Sequence, residues 1–393
     1  MICHLCQFSE LVQFLNLGQQ PLANKYPGRE QFAAEDFFPL TVYFCPRCKN
    51  VQLGTVISRE RMFEDYFYLS SVNGKLVKHF EEFSKQLTDA KLVVDVGSND
   101  GILLKPLKEL GVSAIGVEPS INVSKIANDQ GLTTLCSFFD EDCSRRIQLQ
   151  YGRPDVIVAS SVFTHLEDPH GFLEVARDLM APDGRLVIEV EYIGNILRFI
   201  QFERFYLDRI FYYSLSSLKH LMESHGLMIQ DVEQIEPHGG SLRIIVRRQH
   251  AKLVISNRVN AFLDAEEKSL TVEKLNEFRS AVDTQIAALR ELLTSFNTAG
   301  LKVAGYGAPA RVSTICNYGG IGPSLIAFTV DDSPLKQNKY TPGTHIPIVP
   351  MSHLDVAKPD VIVAFAYEYI DDIRRKAGGP YRWLLPIPPK EIT

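Results

Sequence analysis

Apolar strands alternate with amphipathic helices over most of the chain from residue 91 onward. Strands buried on both faces are predicted for four apolar runs: KLVVDVG (91–97), SAIGVEP (113–119), PDVIVASS (154–161) and RLVIEVEYI (185–193). Helical patterns separate these runs, with short turns between them. This alternation predicts a parallel α/β sheet. Two apolar segments between residues 227 and 248 predict an antiparallel pair at the edge of that sheet.

A long amphipathic helix is predicted for residues 271–296, where apolar residues recur every three or four positions. Its apolar stripe consists of Leu275, Phe278, Val282, Ile286, Leu289, Leu293 and Phe296. Gly300 follows as a stop signal. Beyond it, three apolar runs predict three strands of a second α/β unit. Another helical stretch is predicted for residues 59–88.

Composition and charge exclude several classes of protein. The 393 residues suffice for two or three domains, and 45% apolar with 22% charged residues is typical of a globular protein. A net charge of −6 offers no basic field, so neither nucleic acid nor a membrane is expected as a partner. No apolar run approaches the roughly 18 residues of a membrane span, and no signal-peptide pattern begins the chain. An odd number of dispersed cysteines favours a reducing, cytoplasmic location.

Two CxxC pairs lie near the beginning of the chain, and their residues are Cys3, Cys6, Cys45 and Cys48. Four thiolates from two such turns can surround a zinc ion tetrahedrally, which leaves no open position for catalysis. We therefore favour a structural zinc over buried or redox-active thiols. The other cysteines lack partners at ligand spacing, and packing roles are expected for Cys136, Cys143 and Cys316.

The segment VVDVGSNDG, residues 93–101, marks the point where a strand gives way to a helix. Its D-x-G-x-x-x-G spacing lacks the tight turn of a pyrophosphate-binding G-x-G-x-x-G sequence. Glu118 ends the next strand, where a carboxylate can accept two hydrogen bonds from ribose hydroxyls. An ordinary turn in a Rossmann-like sheet is the alternative, but with Glu118 the pattern resembles the class I S-adenosylmethionine (SAM) methyltransferase fold. Cofactor contacts are predicted for Asp95, Gly97, Asn99, Gly101, Glu118, Asp140 and Ser160.

Further motifs extend the resemblance over nearly the whole chain. They are LGQQPLANKY (17–26), DYFYLSSVNG (65–74), VFTHLED (162–168), HGGSLR (238–243), VAGYGAPAR (303–311) and DDSPLKQNKYTPGTHIPI (331–348). The chain is thereby similar to the sugar C-methyltransferases that act on nucleotide-linked 4-keto deoxysugars. The resemblance implies a zinc-binding domain (1–57), a SAM-binding methyltransferase domain (58–250) and a C-terminal helix with a Rossmann-like, nucleotide-sugar-binding domain (251–393).

The resemblance also implies methyl transfer to carbon, in which a base removes the proton next to a sugar ketone. A hydrogen-bond donor or a cation must then stabilise the enolate oxygen. His165 and the run Tyr206, Leu207, Asp208 and Arg209 resemble the catalytic set, where the family has Tyr-His-Glu-His. Arg209 stands where a histidine would be the base, and an arginine cannot accept a proton. We therefore expect His165 with Asp208 to take the proton, and Arg209 with Tyr206 to stabilise the oxyanion.

Two other functions remain open because Arg209 departs from the family pattern. One is O- or N-methylation, which needs no enolate-forming base. The other is a ligand-binding protein without catalysis. In all three cases the aromatic rings of FERFYLDRIFYYS, residues 202–214, are expected to wall a cleft between the SAM domain and the C-terminal unit.

A second glycine turn at residues 305–310 reads G-x-G-x-x-A, which taken alone is typical of a dinucleotide site in a dehydrogenase. Because only three strands are predicted after the long helix, we prefer a half-site that holds the nucleotide diphosphate of the substrate. Contacts with this nucleotide-diphosphate sugar are predicted for Gly305, Gly307, Lys336, Tyr340 and Thr344. They are also predicted for Tyr66, Tyr68 and His238, with core packing as the alternative for the two tyrosines.

Overall fold

The computed structural model describes residues 1–58, 69–250 and 253–392. The predictions for Tyr66 and Tyr68, and for the first part of the helical stretch at 59–88, lie outside these residues. The strands are β1 (Val12–Pro21), β2 (Phe37–Phe44), β3 (Val51–Leu53), β4 (Leu92–Val96), β5 (Ser113–Val117), β6 (Thr134–Leu135), β7 (Val156–Ser160), β8 (Arg185–Glu191), β9 (Phe211–Tyr212), β10 (Leu227–Ile235), β11 (Ser241–Arg248), β12 (Val303–Tyr306), β13 (Thr329–Val330), β14 (Ile348–Val349), β15 (Val361–Ala364), β16 (Arg382–Pro386) and β17 (Pro389–Ile392).

The α-helices are α1 (Gly74–Lys85), α2 (Leu104–Glu109), α3 (Ile121–Asp129), α4 (Glu141–Tyr151), α5 (Pro169–Leu179), α6 (Ile193–Arg198), α7 (Leu215–Ser224), α8 (Asn257–Ser269), α9 (Val272–Thr298), α10 (Ala310–Gly319), α11 (His353–Ala357) and α12 (Ile370–Ala377). Short 3₁₀ helices cover Arg29–Ala34, Ser70–Val72, Phe163–His165, Phe202–Arg204, Pro237–Gly239 and Tyr367–Tyr369. None of the helices in the described ranges is both long and apolar enough to cross a membrane.

The central sheet has seven strands in the order β10-β11-β8-β7-β4-β5-β6. All neighbours in it run parallel except β11, which is antiparallel to β8 and β10. The predicted parallel sheet and its antiparallel edge are therefore confirmed. Because the carboxyl ends of β4, β5, β7 and β8 meet at one edge, the residues that follow these strands are brought together there.

The N-terminal sheet has the order β1-β2-β3-β9, and its last strand comes from the middle of the chain. Val51 of β3 pairs with Tyr212 of β9 in antiparallel register. The segment that carries the predicted catalytic residues therefore enters the N-terminal sheet directly after them.

The C-terminal sheet has six strands in the order β14-β13-β12-β15-β16-β17. The prediction of three strands is wrong, since β14, β16 and β17 were not expected. Strand β14 spans only Ile348–Val349, which is too short to show any periodicity. Strand β17 reads PKEI and has no buried residue, so it carries no apolar signal.

Helix α9 confirms the predicted apolar stripe, because all seven of its residues are buried. The helix begins after Thr271, whose side chain accepts a hydrogen bond from Lys274 N at 3.3 Å. Its stripe packs in one hydrophobic core with β1 and the C-terminal sheet. Phe278 of the helix meets Phe14 of β1 edge-on, with 6.2 Å between ring centroids. The N-terminal and C-terminal parts of the chain thus share a core.

The cysteines outside the two CxxC pairs lie in different surroundings. Cys143 and Cys316 are buried, as predicted, and burial raises the pKa of Cys143 to about 11. Cys136 is exposed, so the expected packing role is wrong for this residue. It lies in the loop that directly follows the two-residue strand β6.

Candidate active site

The two CxxC pairs converge on one point. Their four Sγ atoms lie within 4.8 Å of one another. Cys3 and Cys48 are 3.6 Å apart and Cys6 and Cys45 are 3.5 Å apart, measured between Sγ atoms. Zinc–sulfur bonds of about 2.3 Å in a tetrahedron place sulfurs about 3.8 Å apart. The donor set therefore fits a structural zinc ion, with every coordination position filled by a thiolate.

The two cysteine turns also have the same backbone form. Gln7 N donates to Cys3 O and Lys49 N donates to Cys45 O, both at 2.9 Å. Gln7 and Lys49 have φ angles of 59° and 61°, a left-handed conformation that non-glycine residues seldom adopt. A matched pair of strained turns around four thiols supports metal binding over simple burial of the thiols.

The first glycine turn follows β4, and its first glycine, Gly97, leaves no room for a side chain. Gly97 has φ 71°, and a Cβ on it would lie 1.9 Å from Val162 Cγ2. Glu118, at the end of β5, accepts hydrogen bonds from Asn99 N at 3.1 Å and from Ser120 N at 2.9 Å. The carboxylate is therefore fixed beside the turn.

A cavity of about 1170 Å³ lies above this turn, and residues from all three parts of the chain line it. The predicted cofactor residues that line it are Asp95, Gly97, Asn99, Glu118, Asp140 and Ser160. Gly101 has φ 86°, and a Cβ there would lie 2.4 Å from Leu132 Cδ1. Its cofactor contact remains a prediction, and the close approach of Leu132 gives this glycine a packing role in the turn as well. Asp140 also caps α4, since its side chain accepts from Cys143 N at 2.9 Å.

Glu189 of β8 is a buried member of the site that the sequence analysis missed. It accepts hydrogen bonds from Arg243 Nε at 2.7 Å and Ser160 Oγ at 2.8 Å, and His79 Nε2 lies 3.1 Å away. Burial raises the pKa of Glu189, but His79 and Arg243 outweigh it and hold the pKa below its ordinary value. Burial, Glu189 and Glu118 together raise the pKa of Asp95 well above its usual range. A carboxylate inside the apolar run LVIEVE was the available signal.

His165 lies in the 3₁₀ turn after β7 and lines the cavity. Its Nδ1 donates a hydrogen bond to the backbone carbonyl of Asp208, so Nε2 is the basic nitrogen. Burial, and then the charge of Arg209, lower the pKa of His165 to about 4. The imidazole is therefore neutral at neutral pH. Asp208 thus orients His165 through its main-chain carbonyl and not through its carboxylate.

Arg209 is buried and forms an ion pair with Glu191 of β8. Its guanidinium also lies 4.8 Å from the centroid of the Tyr206 ring, and its Nε has no hydrogen-bond partner among the described residues. Burial disfavours the charge, but Glu191 more than compensates and raises the pKa of Arg209. Arg204 lies 3.4 Å from the other oxygen of Glu191. Arg209 is thus a buried cation on the cavity lining, and one of its N–H groups has no hydrogen-bond partner among the described residues.

The rings of residues 202–214 are corrected from cleft walls to core. The buried ones are Phe202, Phe205, Phe211, Tyr212 and Tyr213. Among the aromatic residues of this stretch that the structure describes, Tyr206 alone lines the cavity. The charged residues Arg204, Asp208 and Arg209 line it as well, although each is buried.

The C-terminal unit closes the cavity from the opposite side. Arg311, in the first turn of α10, donates to Glu368 at 2.8 Å, and Glu368 also pairs with Arg204 from the middle part of the chain. Burial favours the neutral acid, but Arg311 and Arg204 lower the pKa of Glu368 to about 2. Tyr367 donates to the buried Glu203 at 2.5 Å. A chain of charges therefore connects the two parts across the cavity.

The second glycine turn makes close contacts with other residues of the C-terminal unit. The carboxylate of Asp331 accepts a hydrogen bond from Ala308 N at 2.7 Å. A Cβ on Gly307 would lie 2.9 Å from Ala366 Cβ, so this glycine is needed for packing. Gly305 and Gly307 are not among the described residues that line the cavity. Their substrate contact therefore remains a prediction.

The remaining predicted substrate residues divide into two groups. Lys336 and His238 line the cavity. Tyr340 instead packs edge-on against Phe32 of the N-terminal part, at 4.9 Å between ring centroids. Thr344 shares a hydrogen bond with another hydroxyl of its own loop at 3.0 Å. The substrate contacts of Tyr340 and Thr344 remain predictions, and both side chains contact other groups of the protein.

Comparisons with known proteins agree with this architecture. Residues 3–63 match a zinc binding domain, residues 68–232 a methyltransferase domain, and residues 236–388 a C-methyltransferase C-terminal domain. With the fold and the glycine turn, these matches define a SAM-dependent methyltransferase that carries a structural zinc site. C-methyltransferase NovU of Streptomyces niveus is 32% identical over 404 residues, which cover 99% of this chain and 96% of that protein. The chain belongs to this family of C-methyltransferases.

Other similarities cover only part of the chain. The ubiquinone biosynthesis O-methyltransferase of Rhodopseudomonas palustris is 28% identical over 128 residues, which are 30% of this chain and 48% of that protein. The solved structure of magnesium protoporphyrin IX methyltransferase from Synechocystis PCC 6803 with bound SAH superposes with a TM-score of 0.37 and 15% identity. It covers 48% of this chain and 92% of that one.

Proposed function

We propose that the chain transfers the methyl group of SAM to a carbon atom next to the ketone of a nucleotide-linked deoxysugar. When bound, SAM supplies an electrophilic methyl group. One observation carries the proposal: a neutral histidine, His165, and a buried arginine, Arg209, line the same cavity as the glycine turn. This is the pairing of base and cation that enolate formation requires.

In this proposal, His165 removes the proton and Arg209 stabilises the resulting charge. Nε2 of His165 accepts the proton from the carbon next to the ketone. The electron pair of that C–H bond forms a carbon–carbon double bond, and the carbonyl electrons move to the oxygen. Arg209 and Tyr206 donate hydrogen bonds to this oxyanion. Its negative charge raises the pKa of His165 from about 4, so the imidazole becomes a stronger base as the reaction proceeds.

Recognition of the nucleotide diphosphate is assigned to the C-terminal face of the cavity. Arg311 and Lys336 line that face, and Arg311 Nη1 has no hydrogen-bond partner among the described residues. A guanidinium can bind phosphate oxygens through charge-assisted hydrogen bonds. A reducing cytoplasm, which keeps the zinc thiolates free of disulfides, suits such an enzyme.

The test is an exchange experiment in deuterium oxide with SAM and a panel of nucleotide 4-ketosugars. We expect the wild-type chain to exchange the proton next to the ketone, and His165→Asn to abolish this exchange. His250→Asn, at an exposed position outside the cavity lining, is the matched control. Unchanged exchange in His165→Asn would contradict the assignment of the base. Methyl transfer to oxygen or nitrogen, or SAM binding without turnover on any acceptor, would replace the proposal by one of its alternatives.

A further inference from the structure

A short segment of the N-terminal part reaches into the cavity. It directly follows β1, and it is fixed at Tyr26, which is buried. Tyr26 Oη donates to Ala308 O at 2.7 Å, and the ammonium group of Lys336 lies 5.1 Å from the centroid of the tyrosine ring. Asn24, two residues before it, lines the cavity. The zinc-binding part therefore contributes a side chain to the site that the other two parts form.

Asn24 is bound to the carboxylate of Asp208. Its Nδ2 donates to Asp208 Oδ2 at 2.6 Å, across 184 positions of the sequence. The other oxygen, Oδ1, is buried and has no hydrogen-bond partner among the described residues. Asp208 is only 8% exposed and lines the cavity. Asn24 thus binds one carboxylate oxygen, and the other is a buried acceptor without a hydrogen-bond partner among the described residues.

The same residue also orients the proposed base. The backbone carbonyl of Asp208 accepts the hydrogen bond from His165 Nδ1. Asn24 therefore holds Asp208, and the main-chain carbonyl of Asp208 sets the tautomer of the His165 imidazole. A shift of Asp208 would move both the free carboxylate oxygen and His165.

We infer that Asn24 is a positioning residue of the active site, through which the zinc-binding domain holds Asp208 so that its free oxygen binds a hydroxyl group of the sugar. A buried carboxylate oxygen without a partner calls for a ligand that donates a hydrogen bond, and a sugar hydroxyl has this chemistry. The role given to the sugar rests on the proposed function, whereas the effect of Asn24 on Asp208 does not.

The electrostatic surroundings of Asp208 agree with a carboxylate that is held by Asn24. Burial raises the pKa of Asp208, whereas the hydrogen bond from Asn24, the charge of Arg209 and the backbone N–H groups of Ala23 and Asp208 oppose that rise. A donor that binds the carboxylate form favours ionisation of the group. Without Asn24, the acid would become neutral more readily and would lose its strength as an acceptor.

The experiment compares Asn24→Leu with Tyr26→Phe in the full-length, zinc-loaded protein. Leucine has nearly the size of asparagine but no donor. Tyr26→Phe removes a hydrogen bond from the same segment without touching Asp208. Carbon NMR of isotope-labelled aspartate, with Asp208→Asn to assign the signal, reports the pKa of Asp208 without any substrate. We expect Asn24→Leu to raise this pKa further and Tyr26→Phe to leave it unchanged.

Kinetics supply the second readout. We expect Asn24→Leu to lower kcat/KM by roughly ten- to hundred-fold, as for the loss of a hydrogen bond to a charged group, and to move the acid limb of the pH profile to higher pH. If Asn24→Leu fails to fold, Asn24→Ser, which retains a small donor, should fold with an intermediate pKa of Asp208. An unchanged pKa in the asparagine variants, or equal rises in Asn24→Leu and Tyr26→Phe, would overturn the inference. A raised pKa in a protein that methylates no ketosugar would support it and refute the proposed function alone.

Discussion

The substitution Gly97→Ala tests how closely the glycine turn fits SAM. The added Cβ would lie 1.9 Å from Val162 Cγ2, and the backbone there has φ 71°. A non-glycine residue in this left-handed conformation costs about 1–2 kcal/mol. Overpacking of the contact costs about another 1–3 kcal/mol. If the turn moves to relieve the backbone strain and the steric overlap, SAM binding weakens by about 2–5 kcal/mol, or roughly 30- to 4,000-fold.

A double-mutant cycle separates these two contributions. Val162→Ala removes the clashing methyl group, so Gly97→Ala combined with Val162→Ala should recover the steric part and keep the backbone part. Isothermal titration calorimetry of SAM gives the dissociation constant of each variant. We expect a coupling energy of about 1–3 kcal/mol between the two positions. Additive effects, with no coupling, would refute the steric reasoning, and an unchanged affinity in Gly97→Ala would refute the placement of SAM at this turn.

Three further results are expected. Removal of zinc by a chelator should lower the melting temperature of the wild type, and Cys48→Ser should lower it as well. Added zinc should restore the melting temperature in the wild type only. A metal-free wild type that remains equally stable would contradict the structural role of zinc. Glu191→Gln should lower the free energy of unfolding by about 3–5 kcal/mol in denaturant titrations, because it leaves the buried charge of Arg209 uncompensated. A loss below about 1 kcal/mol would contradict the ion pair between Glu191 and Arg209. His165 has a folded-state pKa of about 4, below its ordinary 6.5, so the unfolded chain binds its proton more readily. Its contribution to stability is complete above pH 6.5 and falls by about 3 kcal/mol toward pH 4. His165→Gln should lose this part of the pH dependence of unfolding, and an unchanged dependence would place the titration elsewhere.

Local periodicity in the sequence accounts for much of the fold. The stripe from Leu275 to Phe296 is buried along α9 because a single helical face repeats every three to four residues. The turn around Gly97 follows a strand whose apolar run needs no distant partner to be recognised. Such signals lie within a few residues of one another. They therefore remain readable without knowledge of the tertiary structure.

Long-range contacts account for what the sequence does not show. Asn24 meets Asp208, and Val51 pairs with Tyr212, although more than a hundred residues separate the partners. No local pattern encodes such pairings. The roles of the aromatic residues around Tyr206 could not be predicted either, because aromatic residues of a core and of a cleft wall look alike in the sequence. Only the packing around α9 and the N-terminal sheet decides between them.

The destination of the methyl group tests the central claim most directly. The purified chain is incubated with a nucleotide 4-ketosugar and with SAM whose methyl carbon is isotope-labelled, and carbon NMR locates the label in the product. We predict a label bonded to the carbon next to the ketone. A label on oxygen or nitrogen, or a sugar that remains unlabelled with every ketosugar of the panel, would contradict enolate-based methylation at carbon.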